Sequence, residues 1–121
     1  MEQRIFGKTG HKVTEIGLGT YNRDGASFDK GETFSGVPYD LGIEAAEELK
    51  RIFGTDELAP IAIRWILMHP EVSVVIPGAS RTAQVKANVK AAEVPALTEE
   101  QMKAVSDLYD RKLREIIHPQ W

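Results

Sequence analysis

Cysteine is absent from this 121-residue chain. Its absence excludes disulfides, thiolate metal sites and thiol catalysis together, and fits a reducing compartment. Long apolar runs are absent too: nothing approaches the roughly 18 residues that read as a membrane-spanning helix. The opening MEQRIFGKTGHKV has no apolar stretch of the kind a secretory signal carries. The cytoplasm is therefore the expected location. Neither sign of charge dominates, and a formal net charge of -3 gives no electrostatic reason to expect nucleic acid or an anionic membrane as partner. Histidine is scarce as well. His11, His69 and His118 lie far apart in sequence and read as surface or capping residues, so no metal site is expected.

What is present has the composition of an ordinary globular domain, with 42% hydrophobic and 27% charged residues. The length suits one domain, whereas a closed eightfold β/α barrel takes roughly 250 residues. Arg4–Phe6 and Lys12–Ile16 alternate in polarity around Gly7-Lys8-Thr9-Gly10, which predicts a β-hairpin. Ile16–Thr20 is apolar and ends in small residues, as a buried strand does. The stretch 22–38 has glycines, charges and no sustained periodicity, and reads as a loop.

The second half predicts helices around one strand. Asp40 is the expected N-cap of a helix to about Phe53, with Leu41, Ala45, Leu49 and Ile52 at helical spacing and Gly54 as terminator. Glu57–His69 is expected to be a second helix with Ile61, Trp65 and Met68 on its core stripe, closed by Pro70. Val72–Ile76 is short and β-branched, a buried strand by composition. Thr82–Ala92 follows as a helix, and Thr98 with Gln101 forms a capping-box pattern opening a last helix to about Ile116. The acidic residues Glu44, Glu47 and Glu48 read as a solvated helix face. This element order indicates an α/β fold with parallel strand pairing.

The segments RIFGKTGHKVTEIGLGTY, FSGVPYDLGIEAAEELK, IRWILMHPEVSVVIPGASRTAQVKANV and IIHPQW resemble the aldo-keto reductase family. Residues 1–21 resemble the opening hairpin and first barrel strand, and the remainder of the chain resembles the closing part. The resemblance implies a single truncated domain over 1–121, a partial (β/α)8 TIM barrel with an N-terminal hairpin, two barrel strands and about four helices. Its parts are 1–21, the 22–38 loop, and 39–121 with the C-terminal helices and last strand. The intervening part of full-length relatives carries the Asp, Tyr, Lys and His that reduce the carbonyl. Tyr21, Tyr39 and Tyr109 do not stand in that catalytic context, so the resemblance carries no catalytic residue over to this chain.

Cofactor-facing positions do carry over. The resemblance places Gly19, Thr20 and Tyr21 near the nicotinamide end of NADP(H). It places Gly78, Ala79, Ser80, Arg81, Gln84 and Asn88 at the adenosine end and its 2′-phosphate. The chemistry of the residues agrees. A glycine lets backbone approach a phosphate, and a helix N-terminus offers amide groups and a positive dipole end. Ser80 and Arg81 add a hydroxyl and a fixed cation, while Gln84 and Asn88 share one helix face. Relatives often carry Lys or Arg where this chain has Ser80. Taken without the family, Gly17 and Gly19 are ordinary packing glycines and Arg81 is equally a solvated charge.

Three readings follow: an NADP(H)-binding remnant without catalysis, a structural or oligomerising module without ligand, and a shortened active NADPH-dependent reductase. The first and last strands of a closed barrel are neighbours, so Glu15–Thr20 and Val72–Ile76 are expected to pair in parallel. Their outer edges would then be open, and an open edge invites self-association.

Overall fold

A computed structural model describes residues 1–17 and 36–120 of the chain. By their described residues they form two compact units, each assembled from two stretches of sequence: Met1–Thr20 with Glu57–Leu97, and Tyr21–Asp56 with Thr98–Trp121.

The first unit opens with the hairpin. Strands β1 (Gln3–Ile5) and β2 (Lys12–Thr14) pair antiparallel, with Arg4 opposite Val13. The Phe6 amide donates to the His11 carbonyl at 2.8 Å, and the Thr9 hydroxyl donates to the Phe6 carbonyl at 2.6 Å, closing the turn. Beyond β2 the chain makes one parallel bridge, Ile16 to Val75. The Gly17 amide donates to the Val75 carbonyl and the Val75 amide to the Glu15 carbonyl, both at 2.9 Å. The expected parallel neighbours therefore meet, through a single bridge among the described residues; 18–20 of the expected strand lie outside them.

Val72–Ile76 is accordingly extended chain and not the buried strand expected of it. Its residues are half-buried and Ile76 is 58% exposed, since nothing pairs with it along a full ladder among the described residues. Close approach at the bridge explains Gly17: a Cβ there would sit 3.1 Å from Val74 Cγ2.

Helices α2 (Leu58–Leu67) and α3 (Thr82–Ala91) pack on this pair. Ile16, Ile63, Leu67 and Ala91 form the core, with Val75 and Ala92 against it. Burying each Ile or Leu stabilises by about 1.5–3 kcal/mol. The expected stripe of Ile61, Trp65 and Met68 is only half-buried, and Ile63 and Leu67 point inward instead. The sequence LAPIAIRWIL is apolar on nearly every face, so its periodicity does not select one. The helix also stops two residues short of His69, which packs edge-on against Trp65 with ring centroids 4.6 Å apart.

Arg4 fastens the hairpin to this layer. Its guanidinium donates to the carbonyls of Leu67 at 2.7 Å and Val72 at 2.9 Å, and lies 3.5 Å from the buried Glu15 carboxylate. Leu67 ends α2, so a fixed cation also meets the negative end of the helix dipole.

The second unit is helical. In α1 (Tyr39–Phe53) the chain enters through Pro38, and Asp40 lies in the first turn without capping it. Asp40 is thus not the N-cap the spacing suggested, although its charge still favours the helix N-terminus. Gly54 ends α1 with φ 63°, a left-handed conformation that a side chain disfavours. Helix α4 (Glu99–Leu108) opens with the expected capping box. The Thr98 hydroxyl accepts from the Gln101 amide at 3.1 Å, and Gln101 Oε1 accepts from the Thr98 amide at 2.9 Å.

The helical path continues through a π-turn at Tyr109–Leu113 and α5 (Arg114–Ile117) into a short 3₁₀ turn, His118–Gln120. Ala45 and Leu108 are the buried apolar residues of this packing. The acidic face of α1 is not merely solvated. Glu48 pairs with Arg111 and Glu44 with Lys112, at 3.3 Å, while Glu47 bonds Lys50 at 2.7 Å. No helix among the described residues is long and apolar enough to cross a membrane.

Candidate nucleotide-binding loop

The sequence-predicted site residues that fall within the described chain lie on one loop and the helix after it. From the bridge at Val75, Ile76 and Pro77 lead into Gly78–Arg81, and Arg81 is the N-cap of α3. An arginine side chain has no acceptor, so it cannot cap the helix through its own guanidinium. Gln84, in the first turn, supplies the cap from the other side. Its Oε1 accepts from the Ser80 amide at 2.8 Å, the Ser80 hydroxyl at 3.1 Å and the Arg81 amide at 3.1 Å. Three donors from two residues thus converge on a single oxygen.

Asn88, one turn further on, donates through Nδ2 to the Gly78 carbonyl at 3.2 Å. Gln84 and Asn88 lie on one face as expected, and within the chain each holds the loop in shape. Gly78 shows no positive φ, and a Cβ built on it would meet nothing within 4 Å. The chain's own packing therefore does not require glycine there, and the space beside its backbone is open. Ala79, Ser80 and Arg81 are exposed. The Arg81 guanidinium makes no ion pair among the described residues.

Gly19, Thr20 and Tyr21 lie outside the described residues, as does 22–35 of the expected loop. Of the other tyrosines, Tyr39 is 69% exposed at the start of α1, and Tyr109 in the π-turn is half-buried with an Oη that has no hydrogen-bond partner. Three side-chain atoms of the first unit are buried without a hydrogen bond: Glu15 Oε2, Arg64 Nε and His69 Nε2, so His69, half-buried against Trp65, is not the surface residue expected.

A hairpin, a parallel strand contact, a loop whose donors converge on Gln84 Oε1 and a following helix define a small α/β fragment. The Aldo/keto reductase family model matches residues 15–110, and the chain belongs to that family. No curated protein and no solved structure matched the chain. The matched span is well short of the roughly 250 residues of a closed eightfold barrel, the fold the family implies.

Proposed function

We propose that this chain is a partial aldo-keto reductase barrel that binds NADP(H) weakly at its adenosine end and does not reduce carbonyls. The observation that carries the reading is the convergence of the Ser80 and Arg81 donors on one oxygen position. An anionic phosphate oxygen suits the same donors, since a charged acceptor makes bonds roughly twice as strong as a neutral amide. Arg81 stands beside them with no ion pair among the described residues, and Gly78 leaves its backbone approachable. A 2′-phosphate would take the position that Gln84 Oε1 now fills. Binding therefore exchanges three internal hydrogen bonds for three charged ones, which favours the phosphate only modestly. Ser80, Arg81, Gln84 and Asn88 are assigned to the 2′-phosphate and adenosine, Gly78 and Ala79 to the close backbone approach, and Gly19 and Thr20 to the nicotinamide end.

When bound, the cofactor supplies hydride. The chain's own contribution stops at holding it. Carbonyl reduction also needs a positioned proton donor, and acid catalysis with orientation is worth many orders of magnitude. Tyr39 is exposed at a helix start, and Tyr109 lies in a helical turn. The test is the oxidation of NADPH by purified protein with a generic aldehyde. No turnover above the solution rate is expected, and measurable saturable turnover overturns the inactivity.

A second reading has its own observation. Among the described residues Ile16 and Val75 pair through one bridge, with no further strand beside it, so self-association through such edges is the alternative role, without ligand. Sedimentation distinguishes it: a compact monomer at all concentrations rules it out.

A further inference from the structure

The loop Gly78–Arg81 is closed by a side chain of the helix that follows it. Gln84 Oε1 sits 2.8 Å from the Ser80 amide and 3.1 Å from both the Ser80 hydroxyl and the Arg81 amide. Gln84 is half-buried, whereas Gly78, Ala79, Ser80 and Arg81 are all exposed. An anionic oxygen bonded to the same donors would lie about 2.7–2.9 Å from them, which is the place that Oε1 holds. Two acceptor oxygens cannot share that place. The loop with Gln84 turned in and the loop with an anion on these donors therefore exclude each other.

Asn88 acts on the loop in the opposite sense. Its Nδ2 donates to the Gly78 carbonyl at 3.2 Å. It engages an acceptor of the loop and leaves the donors of Ser80 and Arg81 alone, so it supports the same shape whether or not an anion is present. Two side-chain amides one turn apart on α3 thus divide the work: Gln84 fills the donors and Asn88 holds the frame.

We infer that Gln84 is a latch on the nucleotide loop, an internal competitor for the phosphate; this rests on the reading of Ser80 and Arg81 as phosphate donors. Only the molecules with Gln84 turned out are open to the anion, and the apparent affinity is reduced by that fraction. The latch stabilises the empty loop and weakens binding through the same three hydrogen bonds.

The test follows the Ser80 and Arg81 amides by NMR during titration with inorganic phosphate at constant ionic strength, in the full chain and its Gln84→Ala and Asn88→Ala variants. Phosphate carries no adenine, so contacts of Gln84 with a base do not enter. Gln84→Ala is expected to melt roughly 3–6 °C lower and yet to bind phosphate about tenfold more tightly, because three neutral hydrogen bonds at the low end of their net worth hold the latch shut. Asn88→Ala is expected to melt lower and to bind more weakly. Circular dichroism confirms that each variant is folded. Should Gln84→Ala unfold, Gln84→Met decides, since it keeps the chain length, drops the oxygen and is expected to tighten binding likewise.

Unchanged or weaker phosphate binding in the folded glutamine variants overturns the latch and leaves Gln84 a helix cap. NADPH titrated in parallel separates this from the nucleotide reading. If NADPH moves the two amides and the glutamine variants gain nothing, the latch alone falls. If phosphate moves them, more tightly in Gln84→Ala, and NADPH does not, the latch stands and the nucleotide reading falls. If neither moves them in any variant, both fall.

Discussion

Replacing Gln84 with Glu separates the structural role of that side chain from the nucleotide role of its surroundings. Gln84 Oε1 accepts from three donors of Ser80 and Arg81 at 2.8–3.1 Å, at the start of α3. A carboxylate at the same position accepts the same bonds with a full charge. A neutral hydrogen bond contributes about 0.5–1.5 kcal/mol net and a charged one about 1.5–3. The loop is exposed, so the low end applies, and the helix dipole adds about 0.3–1 kcal/mol at an exposed N-terminus. A net gain of about 1 kcal/mol follows, or a rise in melting temperature of roughly 3–6 °C for a chain of this length. The same negative charge occupies the phosphate position, so NADPH affinity falls by at least about tenfold. Differential scanning fluorimetry with and without NADPH reads both. An unchanged or lowered melting temperature refutes the cap geometry, and a stabilised variant that still binds NADPH refutes the assignment of the phosphate to these donors.

Other outcomes follow from single contacts. Arg4→Met removes the bonds to Leu67 and Val72 and leaves Glu15 buried without its cation, a loss of about 2–4 kcal/mol after allowing for the partial exposure of Arg4; adding Glu15→Gln should recover part of it in urea melts. Thr98→Ala deletes the α4 cap and should cost about 1 kcal/mol by the same method. Gly54→Ala meets no atom within 4 Å, so its cost of about 1 kcal/mol is purely the left-handed backbone. The hydrogen bond from Lys50 holds Glu47 below its ordinary value of 4.5 and Lys50 above its ordinary 10.5. The Glu47 contribution is therefore present above about pH 4.5 and lost as pH falls through its lowered folded value. That of Lys50 is present up to pH 10.5 and lost as pH rises through its raised one. The pair lies at the surface, with Glu47 exposed and Lys50 half-buried, so Glu47→Gln should change the acid limb of a pH melt only slightly, and less in high salt.

Local chemistry was the legible part of this chain. The hairpin turn, the Gly54 stop and the Thr98–Gln101 capping box each depend on residues within a few positions, and each forms. The parallel meeting of the Ile16 and Val75 segments followed from the family's barrel order. Helix α2 hid its inward face because nearly every position in it is apolar. Entry into α1 through Pro38 defeated the cap expected at Asp40. Glu44 and Glu48 looked solvated because their partners, Lys112 and Arg111, stand more than sixty residues away. At the candidate site, the chain order Gly78 to Asn88 was readable. What was not readable is that Gln84 spends its oxygen on the loop, since that depends on the rotamer and the path of Ser80 and Arg81. Glu15 and Arg64 gave no signal at all; only packing buries Glu15 Oε2 and Arg64 Nε without a hydrogen bond.

The most direct test of the account is a calorimetric titration of the full chain with NADPH, run beside NADH. Saturable binding that favours NADPH is the predicted result, because the two nucleotides differ only in the 2′-phosphate assigned to Ser80 and Arg81. Equal affinity for both, or no heat at millimolar nucleotide, contradicts it.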